Sequence, residues 1–310
     1  MAALDVELLR QEFKLPHELV RASDGKVLFL RHWAGSEGNR VAILVCHGIT
    51  AYSEPYGKLI AEEVSSAGFD VFGLDLRGHG RSDGLRGDYP SGERWRQDLA
   101  DTTAFLKQRF PTLVVLGHSL GIFSALVAAS HTASTVDGLI LVSGGIQVRP
   151  GAYSKPSAGR ALKTLLGVAL FRRSRLIEYR RGGMLGLDDP LFNFRYSARF
   201  YSTIYGMSPW SVVKMMGQNR VESPNLELVG RPHLPVWVGV GEHDELFPVE
   251  SARAFCDGLA SSAKTFAVIP GGRHAYFPPG SWTPLVAWVK ENFSSMPAAP
   301  TGFLEPTLPQ

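Results

Sequence analysis

The chain is poor in cysteine. Only two of its 310 residues are cysteines, Cys46 and Cys256, and Cys46 stands within the apolar run VAILVC. Disulfide frameworks use a larger, paired set of cysteines in short exported chains, so buried reduced thiols are the better interpretation. This usage excludes a small disulfide-stapled protein and favours a cytoplasmic location.

The chain also lacks the apolar stretches of exported or membrane-spanning proteins. Its first residues, MAALDVELLRQEFKLPHE, include acidic side chains and have neither the basic start nor the apolar core of a signal peptide. No stretch reaches the roughly 18 uninterrupted apolar residues that a membrane span needs. We therefore expect a protein that remains in the cytoplasm.

No charge of one sign prevails. The 32 basic and 29 acidic residues give a formal net charge of +3 and are interspersed, so a nucleic-acid partner is not indicated. One basic stretch, residues 172–181, would suit an anionic substrate or membrane surface, and a solvated helix face is the alternative. What the chain has in quantity is apolar side chains, 45% of residues, enough for a large core.

Short apolar runs separated by amphipathic segments follow the first forty residues. Such runs predict strands that are covered on both faces, and the segments between them have helical periodicity. This alternation predicts an α/β fold with a mostly parallel central sheet and helices on both faces. An antiparallel hairpin around Ser23–Gly25 is expected at one edge of the sheet. The predicted strands are VAILVC, FDVFGLD, LVVLG, GLILVSG, PVWVGVG and TFAVIPG.

The strand-helix rhythm stops between Gln147 and Arg231, where helix-like stretches follow one another. An all-helical insertion between two sheet strands would form a cap at one end of the sheet. The Pro-rich end of the chain is typical of disorder. The predicted units are therefore a first part of the core (1–146), a helical cap (147–231), a second part of the core (232–296) and a disordered tail (297–310).

A candidate nucleophile lies at the end of a predicted strand. Gly117-His118-Ser119-Leu120-Gly121 fits the pattern G-x-S-x-G and joins the run LVVLG to a predicted helix. Such a turn forces the serine into a strained conformation, and the glycines remove side chains that would collide with the neighbouring strand and helix. Ser119 would thus expose its hydroxyl at the carboxyl end of a central strand, where open α/β sheets bind ligands.

A base and a carboxylate are available after later strands. A serine hydroxyl needs an imidazole to take its proton, and the imidazole needs a carboxylate to fix its tautomer. His274 follows the last predicted strand, and Asp244 follows the strand before it, so both would emerge at the same sheet edge as Ser119. Glu242 and Glu245 are rival carboxylates, and we prefer Asp244 because of the pattern G-x-x-D-x-L-F-P.

An acyl-transfer site also needs hydrogen-bond donors for the oxyanion. The backbone N–H of Leu120, the residue after the candidate nucleophile, would supply one. The second would come from the loop His47-Gly48-Ile49-Thr50 after VAILVC, with the N–H of Ile49 as the candidate.

Taken together, these motifs resemble those of a known superfamily. The series strand-HG, DLRGHGRSDG, GHSLG, GEHDELFP and PGGRH resembles the α/β-hydrolases, whose catalytic residues follow the order serine, acid, histidine. DLRGHGRSDG and the insertion after LVSGG are similar to the monoacylglycerol lipase and lysophospholipase branch, which is of serine aminopeptidase S33 type. The resemblance implies Ser119, Asp244 and His274 as catalytic residues and Ile49 and Leu120 as oxyanion donors. One departure is that Ile49 and Thr50 stand where many relatives have a small residue and a glycine.

The resemblance implies a serine hydrolase that cleaves carboxylic esters through an acyl-enzyme, without a metal or cofactor. Apolar residues of the predicted cap favour a hydrophobic, monoacylglycerol-like ester, although core packing within the cap explains them equally well. The cap would also suit peripheral membrane contact. An amidase, aminopeptidase, thioesterase or acyltransferase on the same residues is an alternative, and a non-catalytic ligand-binding protein is another. The candidate substrate-binding residues in the cap are Leu166, Leu170, Phe171 and Trp210.

Overall fold

The computed structural model describes residues 4–131, 135–150, 157, 159, 162, 170–171, 173–179, 188–205 and 233–293. The strands are β1 (His17–Arg21), β2 (Val27–Trp33), β3 (Val41–Cys46), β4 (Asp70–Leu74), β5 (Thr112–His118), β6 (Gly138–Val142), β7 (Ile177–Glu178), β8 (Arg195–Tyr196), β9 (Val236–Gly241) and β10 (Lys264–Ile269). The helices are α1 (Val6–Glu12), α2 (Glu62–Ser66), α3 (Gly92–Lys107), α4 (Gly121–His131), α5 (Ala198–Tyr205), α6 (Val249–Asp257) and α7 (Thr283–Phe293), and a π-helical turn (Gly57–Ala61) leads into α2.

Eight strands form one sheet in the order β1-β2-β4-β3-β5-β6-β9-β10. From β4 to β10 every neighbouring pair is parallel, whereas β1 pairs with β2 and β2 with β4 in the antiparallel sense. The mostly parallel sheet and the hairpin at its edge are therefore confirmed. Because the parallel strands share one direction, the loops after β3, β5, β9 and β10 leave from the same edge of the sheet.

The central strands are buried on both faces. Along β3, alternate side chains belong to two different apolar clusters: Leu44 packs on one face of the sheet and Ile43 on the other. Helices α3, α4 and α6 cover the Leu44 face, and α2 and α7 cover the Ile43 face. Helices on both faces leave no solvent-facing side to a central strand, which explains its continuous apolar sequence.

The segment between β6 and β9 is not entirely helical. Within residues 147–231 the structure describes a helix, α5, but also an antiparallel pair in which Ile177 lies opposite Tyr196 and Glu178 opposite Arg195. The expectation of an all-helical insertion is therefore wrong here, because two-residue strands are too short to produce a readable periodicity. The boundaries of the cap and of the C-terminal tail stay predictions.

No helix in the described ranges combines the length and the apolar character that crossing a bilayer requires. Helix α3, for example, has 16 residues and buries one side of its surface against the sheet while its outer side is charged.

The turn after β5 is closely packed, and this packing can be tested. A Cβ on Gly121 would lie 2.0 Å from the carbonyl oxygen of Cys46, which belongs to the backbone of β3 and cannot move aside. We expect Gly121→Ala to lower the free energy of unfolding by about 1–3 kcal/mol or more, as overpacking does. Urea denaturation followed by circular dichroism measures the change.

Gly92 provides the matched control, because it also begins a helix but has room for a side chain. A Cβ on Gly92 would have Nη1 of Arg96 as its nearest neighbour, at 3.7 Å. Gly92→Ala should leave stability unchanged or raise it by up to about 1 kcal/mol, since alanine favours the helix. Equal stability of Gly121→Ala and the wild type would contradict the packing described for the turn.

Candidate active site

Ser119 lies in the turn between β5 and α4 in a strained conformation. Its φ angle is 54°, in the left-handed region that side chains disfavour. Its N–H donates to the carbonyl oxygen of Val142 at 2.9 Å, which ties the turn to the end of β6. A Cβ on Gly117 would lie 2.4 Å from the carbonyl oxygen of Gly121, so strand and helix approach each other too closely for any other residue. The turn that the G-x-S-x-G pattern predicts is present.

The structure brings Ser119, His274 and Asp244 together. Nε2 of His274 lies 3.1 Å from Oγ of Ser119, and its Nδ1 lies 3.1 Å from each carboxylate oxygen of Asp244. In the tautomer that fits this geometry, Nδ1–H donates to Asp244 and Nε2 accepts from the serine hydroxyl. The imidazole is thus placed to take the serine proton.

The carboxylate of Asp244 is almost fully buried, at 1% exposure, yet it is held in its charged form. Burial alone would raise its pKa. The hydrogen bond from His274 and those from the backbone N–H groups of Phe247 (2.9 Å) and Leu246 (2.8 Å) outweigh burial, and the pKa of Asp244 lies below its usual value. A charged carboxylate at this point stabilises an imidazolium on His274.

The two rival carboxylates are bound to the backbone of the histidine loop. Glu242 accepts a hydrogen bond from the N–H of Gly271 at 2.9 Å, and Glu245 accepts one from the N–H of His274 at 2.9 Å. Among the described residues, the carboxylate that binds the imidazole ring is that of Asp244. The geometry therefore agrees with the choice of Asp244 as the ring's partner.

The loop after β3 lies against the candidate nucleophile. A Cβ on Gly48 would lie only 3.3 Å from Cβ of Ser119, and Thr50 adopts a left-handed φ of 71°. In the part of the chain that the structure describes, no acceptor takes a hydrogen bond from the backbone N–H of Ile49 or Leu120. Both N–H groups are therefore free for an acceptor on a substrate.

A side-chain relay joins this loop to the backbone of His274. The N–H of Gly48 donates to Oη of Tyr56 at 2.7 Å, and the Tyr56 hydroxyl lies 2.7 Å from Nδ1 of His118. Because Oη accepts from Gly48, its own proton goes to Nδ1, and Nε2–H of His118 then donates to the carbonyl oxygen of His274 at 2.7 Å. The candidate oxyanion loop and the candidate base are thus connected through buried hydrogen bonds.

A second tyrosine fixes the far end of the same loop. The N–H of Thr50 donates to Oη of Tyr196 at 2.7 Å, and that hydroxyl donates to the carbonyl oxygen of Asn193 at 3.0 Å. Sequence analysis missed Tyr56 and Tyr196, and neither stands in a motif that would reveal its role. Their hydroxyls reach partners that folding alone brings near.

The predicted substrate-binding residues are placed only in part. Leu170 and Phe171 are largely exposed, at 68% and 57%, whereas Leu166 and Trp210 lie outside the described residues. Among the described side chains, no group of three or more His, Cys, Asp or Glu residues is arranged to bind a metal ion.

Comparison with known proteins decides the family. The sequence pattern described as serine aminopeptidase S33 (Hydrolase_4) matches residues 37–278. The chain belongs to this family. This S33-family chain is 32% identical to monoglyceride lipase of Rattus norvegicus over 267 residues, which are 84% of this chain and 83% of the rat protein. It is 24% identical to monoacylglycerol lipase of Mycolicibacterium smegmatis over 261 residues, 79% of this chain and 85% of that protein.

Solved structures share the fold of this S33-family chain. A soluble variant of monoglyceride lipase from Saccharomyces cerevisiae, in complex with a substrate analogue, matches with a TM-score of 0.65 at 19% identity, over 90% of this chain and 93% of the yeast chain. A carboxyl esterase from Bacillus coagulans matches with a TM-score of 0.65 at 17% identity, over 90% and 99% of the two chains. The predicted α/β-hydrolase fold and the resemblance to monoacylglycerol lipases are confirmed.

Two buried histidines beside the site make stability depend on pH. Burial lowers the pKa of His47 from 6.5 to about 4, and burial together with the nearby His47 lowers the pKa of His79 well below 6.5. Both are neutral in the native state but take up protons in the unfolded chain below about pH 6.5. The free energy of unfolding should therefore decrease as the pH falls below about 6.5, by about 1.4 kcal/mol per pH unit for His47 down to about pH 4, and His79 adds a decrease of the same sign. Urea denaturation across this range measures the slope.

Substitution of His79 measures how much this one histidine contributes to the pH dependence of the free energy of unfolding. The ring of His79 lies among Tyr196 and Phe200; among the described residues its Nε2 has no partner, and its Nδ1 lies 3.1 Å from the carbonyl oxygen of Arg77. Phenylalanine removes the titratable ring and keeps the aromatic contacts. The slope of the unfolding free energy against pH is proportional to the number of protons taken up on unfolding, and His79→Phe should lower that number by about one. His243→Gln is the control, because that side chain is 66% exposed, and should leave the slope unchanged. An unaltered slope in His79→Phe would assign the pH dependence to other groups.

Proposed function

We propose that this S33-family hydrolase is a serine esterase that cleaves hydrophobic carboxylic esters of the monoacylglycerol type. The observation that carries the proposal is the position of His274, whose two ring nitrogens lie 3.1 Å from Ser119 and from Asp244. A hydroxyl, an imidazole and a buried charged carboxylate in this order are the requirements for an activated serine nucleophile.

In the first half of the reaction Oγ of Ser119 attacks the ester carbonyl carbon and passes its proton to Nε2 of His274. The tetrahedral oxyanion accepts hydrogen bonds from the free N–H groups of Ile49 and Leu120. The bond to the alcohol oxygen then breaks, and the imidazolium returns the proton to that oxygen, so that an alcohol leaves and an acyl-serine remains.

In the second half a water molecule replaces the alcohol. Nε2 of His274 takes a proton from the water as its oxygen attacks the acyl carbon, and the same proton goes to Oγ when the acyl-serine bond breaks. The carboxylic acid leaves and Ser119 is restored. Asp244 remains charged throughout, which stabilises the imidazolium in both halves.

Apolar side chains around the site support a hydrophobic substrate. The ring of Phe247 lies 5.9 Å from that of His274, and Phe247 forms a small apolar cluster with Val148 and Leu246. Ile49, in the loop that approaches Ser119, is partly buried against the main core. The identity with proteins named monoglyceride lipases, such as the rat protein at 32%, adds support for a lipid-like acyl group.

A fluorophosphonate probe tests the nucleophile. The wild type should be labelled on Ser119, and Ser119→Ala should lose labelling and lower kcat for ester hydrolysis by about 10⁴-fold or more. The chain offers a matched control in Ser143, which follows the adjacent strand β6 with a similar φ of 55° and is fully buried. Ser143→Ala should be labelled and active. An unlabelled wild type, or equal labelling of Ser119→Ala, would instead indicate a non-catalytic binding protein.

A series of p-nitrophenyl esters tests the substrate class. With an apolar acyl site, kcat/KM should rise by roughly fourfold for each added methylene until the site is filled, since a buried methylene contributes about 0.8 kcal/mol. Monoacylglycerols and lysophospholipids of matched chain length identify the leaving group. A preference for acetate over longer acyl groups would refute the lipid-like substrate and leave the nucleophile unaffected.

The family description, serine aminopeptidase S33, makes an amide substrate the alternative to test. Amino-acid p-nitroanilides use the same nucleophile, but Nε2–H of His274 must protonate the amide nitrogen as the C–N bond breaks, so that a neutral amine leaves. Because esters are intrinsically more reactive than amides, a kcat/KM for these amides equal to that of the matched esters would already replace the esterase proposal with a peptidase.

A further inference from the structure

The main chain of His274 is held by a side chain at each of its two polar atoms. Its N–H donates to Oε2 of Glu245 at 2.9 Å, and its carbonyl oxygen accepts from Nε2 of His118 at 2.7 Å. His274 follows β10 in a turn that a backbone bridge between Arg273 and Tyr276 closes, with the N–H of Arg273 donating to the carbonyl oxygen of Tyr276 at 2.7 Å. The two polar backbone atoms of His274 itself are bound by side chains, which add a restraint to that of the bridge.

Glu245 stands next to Asp244 in the chain, and the two carboxylates restrain different parts of His274. Asp244 binds the ring of His274 through Nδ1, and Glu245 binds its backbone. One short segment after β9 thus fixes both the orientation of the imidazole and the position of the backbone from which the His274 side chain extends. The two ring nitrogens must each stay 3.1 Å from their partners, Ser119 and Asp244. The ring therefore tolerates little displacement of the backbone that carries it.

The carboxylate of Glu245 has a second partner that keeps it in place. Nε of Arg273 donates to Oε1 at 2.7 Å, so each oxygen has its own donor. Burial raises the pKa of Glu245, but the hydrogen bond from the N–H of His274 and the charge of Arg273 outweigh it, and the pKa is lowered. The side chain is 41% exposed, which makes the ion pair itself a weak contributor to stability.

We propose that Glu245 is a positioning residue for the candidate base: its carboxylate fixes the backbone of His274 so that the imidazole can reach Ser119. This inference rests on the proposed function, in which His274 transfers the proton. Titratable and charged groups that face His274 are Asp244 and Glu245 from the loop after β9, His118 from β5 and the neighbouring Arg273. The ring of Phe247 packs beside the imidazole.

Replacement of Glu245 tests the positioning. Glu245→Ala should lower kcat for a p-nitrophenyl ester by roughly tenfold to a hundredfold with KM changed by less than about twofold, because the loss affects proton transfer and not binding. Glu245→Gln keeps an oxygen that can accept from the N–H of His274 and should recover kcat to within about threefold of the wild type. Thermal unfolding of each variant shows whether the fold is retained.

Glu242 supplies the matched control, because its carboxylate accepts a backbone N–H from the same loop, at Gly271, three residues before His274. Glu242→Ala should keep kcat within about twofold of the wild type. An equal loss of kcat in Glu242→Ala would reduce the effect to general attachment of the loop and overturn the inference. Wild-type kcat in Glu245→Ala would overturn it as well.

Failure of the inference is distinguishable from failure of the proposed function. If the wild type is labelled by a fluorophosphonate on Ser119 and Glu245→Ala is labelled at the same rate, the nucleophile stands and the positioning role falls. If the wild type is neither labelled nor active on esters, the proposed function falls and the positioning role with it. Slower labelling of Glu245→Ala, recovered in Glu245→Gln, supports both.

Discussion

The parallel pairing of β3, β5, β6, β9 and β10 is the constraint on which the site depends. Strands that run in the same direction end at the same edge, so loops separated by more than a hundred residues in the chain become neighbours. The hydroxyl of Ser119, the imidazole of His274 and the carboxylate of Asp244 each follow a different strand of this group. A slip of one residue in a single pairing would turn every side chain of that strand to the opposite face and separate the three groups.

Pairing of strands alone leaves the loops free, and buried hydrogen bonds restrict them. Tyr56 and His118 connect Gly48 to the backbone of His274, and Tyr196 binds the N–H of Thr50. Each bond satisfies a polar group that would otherwise be buried without a partner, at a cost of about 1–3 kcal/mol. Fold stability and the geometry of the site are therefore maintained by the same interactions.

Features that are local in the sequence could be predicted from it. The apolar runs give the strands, and G-x-S-x-G gives the turn at Ser119, because both follow from neighbouring residues and from the steric limits of the backbone. The choice between Asp244 and Glu245 rested on the pattern around them. The structure supplies the physical reason for it: the Asp244 carboxylate folds back to accept from the N–H groups of Leu246 and Phe247, whereas Glu245 extends to the backbone of His274.

Features that depend on distant contacts could not be predicted. The hydroxyl of Tyr196 reaches Thr50 across 146 residues, and no local pattern records such a partner. The short pair β7 and β8 could not be predicted for a related reason, since a strand of two residues is too short to show an alternation of apolar and polar side chains. The same pair lies in the insertion that was expected to be helical.

The bond between Tyr196 and Thr50 connects two regions that are far apart in the chain. Tyr196 ends β8, in the insertion between β6 and β9, and Thr50 ends the loop beside Ser119. A substitution that displaces β8 therefore also withdraws the acceptor from the N–H of Thr50, and the loop beside Ser119 loses a restraint through a change made far away in the chain.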